Sequence, residues 1–66
     1  MARLQFDEGT RFYDEANGRE VIIRRYNFGY YECICVEPYI TDDGIKTEKL
    51  YTQAFYRREL EGMRRI

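Results

Sequence analysis

Tyr30-Tyr31-Glu32-Cys33-Ile34-Cys35-Val36-Glu37 is the longest run of β-favouring residues in the chain. Side chains alternate between the faces of a strand. Tyr31, Cys33, Cys35 and Glu37 therefore fall on one side, and Tyr30, Glu32, Ile34 and Val36 on the other. Both sets are mostly apolar, whereas a one-sided hairpin strand would alternate apolar with polar. The pattern predicts a central strand of a curled sheet, with one face in the core and the other partly covered. Gly29 and Pro38 bound the run, and its wealth of Tyr, Ile and Val favours a strand over a short buried helix.

Upstream, Leu4 and Phe6 alternate with Arg3 and Gln5, which predicts a short first strand or an ordered lead-in that ends at Gly9. Arg11–Asp14 and Glu20–Tyr26 read as an antiparallel pair joined through Glu15-Ala16-Asn17-Gly18, because Asn-Gly tolerates the positive φ of a type I′ turn. In the second strand Val21 and Ile23 share one face, and Ile22 and Tyr26 the other. Asn27-Phe28-Gly29 turns the chain into the central strand, with Gly29 supplying the freedom and Phe28 either a core plug or an exposed aromatic.

Downstream, Pro38 lacks an N–H and marks the end of full pairing or an edge position. Thr41-Asp42-Asp43-Gly44 is a second turn, followed by a polar return strand from Ile45 to Tyr51. Lys46 and Lys49 would guard that strand against edge-to-edge association. From Thr52 the period changes: Tyr56, Leu60 and Met63 recur at helical spacing, with Thr52 a candidate N-cap and Gly62 a candidate stop. The expectation is one domain spanning residues 1–66, mainly β, with four or five antiparallel strands in a curled sheet or small barrel and a short C-terminal helix.

A chain of 66 residues has little interior, and seven Tyr with four Phe give it more rings than so small a core can hide. Tyr and Arg are also the residue types enriched at binding hot spots, and nine of the eleven cations are Arg. These features point to a non-catalytic protein-interaction module whose candidate contacts are Tyr26, Phe28, Tyr39, Tyr51, Arg57 and Arg58. The partner would be another protein or a second copy of the chain. Arg24-Arg25-Tyr26-Asn27-Phe28 and Phe55-Tyr56-Arg57-Arg58 offer the alternative of a single-stranded nucleic-acid binder. A net charge of −1 and a pI near 5.4 weigh against that alternative.

Catalysis finds no selected residues. The chain has no His, so the commonest general base and any Cys–His nucleophile are absent. Its glycines are scattered turn residues rather than a phosphate loop, and Asp42-Asp43 sits in a turn. Cys33 and Cys35 are two ligands where structural zinc takes four, so one copy cannot complete a Cys/His site, though a symmetric dimer could. Buried thiols packing as small hydrophobes are the expectation, with no metal and no cofactor. Neighbours on one strand face stand too far apart for an unstrained disulfide. Free thiols, no apolar run of spanning length and no signal-peptide pattern together suggest the reducing cytoplasm, with no membrane role.

Gly9-Thr10-Arg11-Phe12-Tyr13-Asp14, the Asn17-Gly18 turn, Val21-Ile22-Ile23 and Phe28-Gly29-Tyr30-Tyr31 together resemble small SH3-like barrels. More narrowly, the chain from residue 9 to about 56 resembles short uncharacterised proteins carried on bacterial mobile elements such as conjugative transposons and phages. The resemblance implies a binding module, names no ligand and carries over no functional residue.

Overall fold

A computed structural model describes residues 6–66, so the expected alternation at Leu4 lies outside the described residues. Five strands and one helix follow in order: β1 (Arg11–Asp14), β2 (Arg19–Asn27), β3 (Tyr30–Ile40), β4 (Lys46–Phe55), α1 (Arg57–Glu61) and β5 (Arg64–Arg65). They form one antiparallel sheet in the order β4-β3-β2-β1-β5. The mainly-β expectation with a short helix near the C-terminus therefore holds, but the sheet does not close into a barrel. Closure would need the outer edge of β4 to meet β1, and the two residues of β5 take that edge instead.

Three tight connections set the register, each at a stretch the sequence marks as a turn, and the first takes a conformation other than the one its residues predict. Asp14 pairs with Arg19, so the first loop is the expected Glu15-Ala16-Asn17-Gly18, but it holds no type I′ turn at Asn17-Gly18. Asn17 does not adopt positive φ there. Its amide Nδ2 instead donates to the Asp14 carboxylate at 2.9 Å. The two-residue turn is Phe28-Gly29, between paired Asn27 and Tyr30, with φ of +46° and +101°. Those values belong to a type I′ turn, which places Phe28 where Asn or Gly is the usual residue. The third connection has Thr41 N–H donating to the Ile45 carbonyl and Gly44 N–H to the Thr41 carbonyl. That pattern, with Gly44 at φ +82°, is a three-residue hairpin loop ending in a bulge.

The core sits on one face only. Val21 and Ile23 of β2 lie beside Cys35 and Cys33 of β3, flanked by Phe12 of β1, with Tyr31 opposite Phe55. Leu60 of α1 closes the cluster, and Phe6, Tyr51 and Met63 pack around it. Along Arg19–Ile23 and Tyr30–Val36 burial alternates strictly, every second residue being buried. A bulge at Arg24 inserts one extra residue between the Ile23–Cys33 and Arg25–Glu32 pairs. It inverts the phase of β2, so Tyr26 stands opposite Tyr31 on the core side, ring centroids 5.0 Å apart, rather than beside Ile22 as the simple alternation predicts.

The C-terminal third departs most from expectation. Thr52 is no N-cap, because β4 runs on to Phe55 paired with β3 throughout. Tyr56 is the N-cap, and its N–H donates to the Glu59 carboxylate at 2.7 Å. Gly62 ends the single helical turn with ordinary right-handed geometry, and Arg57 Nε donates to the Glu61 carboxylate at 3.0 Å. Pro38 does mark the end of full pairing, although β3 itself runs on to Ile40. Its non-hydrogen-bonded position opposite Glu48 needs no N–H toward β4, and β2 pairing has already stopped at Val36.

Candidate functional site

With one face of the sheet filled, the other is left open by the described residues. Its central residues are Ile22, Ile34 and Val36, each half-buried, and Leu50, which is 63% exposed. The pairing rows bring these side chains together: Ile22 opposite Ile34, Ile34 opposite Thr52, and Val36 opposite Leu50. Directly paired side chains of this kind have β-carbons about 4.5–5.5 Å apart. The result is a continuous apolar stripe across β2, β3 and β4. No described residue on this face is buried, and every member of the buried core belongs to the opposite face or to α1. Charged pairs border the stripe on the same face: Arg11 with Glu20, and Arg25 with Glu32 at 3.3 Å.

The six candidate contacts do not converge on it. Tyr26 and Phe28 stand at the β2–β3 turn, Phe28 with 97% of its surface exposed. Tyr39 is exposed near the other end of β3, eleven residues from Phe28, a separation of roughly 36 Å at strand rise. Arg58 is exposed on α1. Arg57 lies against the Phe6 ring, 4.8 Å from its centroid, while bonded to Glu61. Tyr51 is committed within the chain, as its hydroxyl accepts from Arg19 Nη1 at 2.7 Å and donates to Glu37 at 2.8 Å. Sequence reasoning looked for rings and guanidinia and so passed over Leu50. The signal was present in the apolar even-numbered residues of the central run, which read as partly covered.

The strongest electrostatic feature lies on the core face. Arg19 is buried, donating through Nε to Asp14 at 2.9 Å and through Nη1 to Tyr51 and, at 3.1 Å, to Gln53. Its guanidinium also lies 5.4 Å from the Phe55 ring centroid. Burial by itself would raise the Asp14 carboxyl, but hydrogen bonds from Asn17 and Arg19 outweigh it and hold the group below its usual value. The cluster satisfies itself and opens onto no cavity, since the described residues enclose none. It fixes the end of the sheet rather than offering a reactive group.

Both cysteines are free thiols buried in the core. Burial, with smaller contributions from Cys35 and Glu32, pushes the Cys33 thiol up to about 12. Cys35 is raised mainly by burial, against the pull of Arg19. Among the described residues no group of three or more His, Cys, Asp or Glu side chains could hold a metal ion. No described helix is long and apolar enough to cross a membrane. The chain matches no family model, no curated protein and no solved structure.

Proposed function

We propose that this chain is a small non-catalytic protein-interaction module. The observation that carries the reading is the stripe Ile22–Ile34–Val36–Leu50, an apolar surface that no described residue covers, with charged pairs at its border. Apolar centres with polar rims are the anatomy of protein interfaces. The rings of Tyr26, Phe28 and Tyr39 add exposed contact points at the two ends of the sheet. The module works in a reducing compartment, the cytoplasm, where Cys33 and Cys35 stay thiols. The kinship with SH3-like proteins of mobile elements is part of the same proposal.

The nucleic-acid reading draws less support, because Arg11, Arg19, Arg25 and Arg57 each pair with a carboxylate of the same chain. The test substitutes the open face while leaving the core alone. Ile34→Glu combined with Leu50→Glu should keep the fold, seen by circular dichroism, and lose the protein complexes, with itself or others, that the wild type forms in an extract of its own cell. A wild type that forms none, or a folded variant that keeps them all, refutes the proposal.

A further inference from the structure

Among the described residues nothing pairs with the outer edge of β4, and the geometry of that edge specifies an occupant. Thr41 and Ile45 are a hydrogen-bonded pair, and such pairs alternate along an antiparallel ladder. With no break in register from Ile40–Lys46 to Tyr31–Phe55, the odd-numbered residues of β4 bond to β3. Lys46, Glu48, Leu50, Thr52 and Ala54 therefore aim their backbone N–H and C=O groups away from the sheet. Such a row is a template for another strand. The guard charges Lys46, Glu48 and Lys49 occupy one half only, and Leu50 to Phe55 carries no charge.

We propose that the β4 edge pairs antiparallel with the β4 edge of a second copy, about a two-fold axis at Leu50. This rests on the interaction reading above and names its partner. Leu50 is the middle of the five outward-facing residues, so this register alone gives all five a partner: Lys46 with Ala54, Glu48 with Thr52, and Leu50 with Leu50 of the other copy. Sliding the axis to Glu48 or Lys49 sets like charges directly opposite each other and leaves outward groups unpaired. Sliding it to Tyr51 also shortens the ladder and sets Leu50 against Thr52. At Leu50 the charged half of each strand meets the uncharged half of the other, while Lys49 keeps Glu37 opposite it on β3. The axis stands perpendicular to the sheet, so both open faces lie on one side. The apolar stripe then runs unbroken from Ile34 and Val36 through the two Leu50 side chains into the second copy.

Single cysteines placed in the full chain read this register, since the native thiols are buried. Hydrogen-bonded partners have Cα atoms about 5.5 Å apart, inside disulfide range. Leu50→Cys should cross-link to itself under mild oxidation, and a mixture of Glu48→Cys with Thr52→Cys should give the mixed dimer. Thr52→Cys alone should not, its copies being about 14 Å apart at strand rise. Sedimentation should show a wild-type dimer that Leu50→Lys abolishes while the circular dichroism spectrum stays unchanged. A wild-type monomer at millimolar concentration overturns the proposal, as does cross-linking of Thr52→Cys equal to that of Leu50→Cys. A monomer that still forms Ile34-dependent complexes with another protein sinks the self-pairing alone. A monomer that forms none sinks the interaction reading with it.

Discussion

Replacing Phe28 by Asn should stabilise the fold, although Phe28 is the most exposed aromatic side chain described. Its φ of +46° lies in the left-handed region, where a residue with a bulky Cβ substituent loses about 1–2 kcal/mol. Asn tolerates that region through local hydrogen bonding and is favoured at the first position of a type I′ turn. With the ring 97% exposed, its removal costs almost no buried contact, so the strain relief of Phe28→Asn should appear as a net gain of about 1 kcal/mol. For a domain of this size that is an upward shift of roughly 4–8 °C in Tm. Two controls separate backbone strain from the loss of the ring. Phe28→Ala removes the ring but keeps a Cβ at positive φ, and should gain little. Phe28→Gly relieves the strain but frees the unfolded chain by about 0.4–1 kcal/mol, and should fall between the two. Thermal and urea unfolding of the four proteins decide it. A destabilised Phe28→Asn would show that the ring packs in solution, and an Ala variant as stable as the Asn variant would show that the turn is unstrained.

Arg19→Ala should cost about 3 kcal/mol or more in urea unfolding, because it strands the buried Asp14 carboxylate. Arg19→Met combined with Asp14→Leu should cost far less, since no uncompensated charge is left. Asp14 titrates below its ordinary value when folded, so its stabilisation is complete above its unfolded pKa of about 3.9 and is lost as pH falls through the lower folded value. The urea midpoint should therefore drop across that acid window, and Asp14→Asn should flatten this part of the profile. Cys33 and Cys35 should resist a thiol reagent at neutral pH in the native protein and both react in urea, given their burial and raised pKa. Rapid native labelling would contradict the core packing.

Much of the sheet is readable from local chemistry. Alternation in Arg19–Ile23 and Tyr30–Val36 marks two strands, and the pairing of Arg11–Asp14 with the second of them follows from the turn residues between. The Asp-Gly turn before β4 is likewise where it should be. The misreadings have specific causes. Asn17-Gly18 has the composition of a type I′ turn, but Asp14 draws Asn17 into a wider loop that also delivers Arg19 to the same carboxylate. The bulge at Arg24 leaves no mark in an arginine pair, yet it reverses the facing of Tyr26. Thr52 to Tyr56 fits a helix by spacing, but ten residues of pairing with β3 hold β4 extended through Phe55.

Side-chain identity in sequence order settled that this chain makes antiparallel strands, that its thiols lack a histidine, and that its rings outnumber the places to hide them. Those are properties of short segments and of totals, and they survive without knowledge of what packs on what. Whether the sheet closes, which apolar set of the central strand is covered and which edge stays free were decided by the tertiary structure. Each depends on where a distant segment docks: Leu60 and Phe6 settle on the Cys33–Cys35 face, and β5 takes the edge of β1. What they leave uncovered, the stripe ending at Leu50 and the strand that carries it, is fixed by that long-range choice.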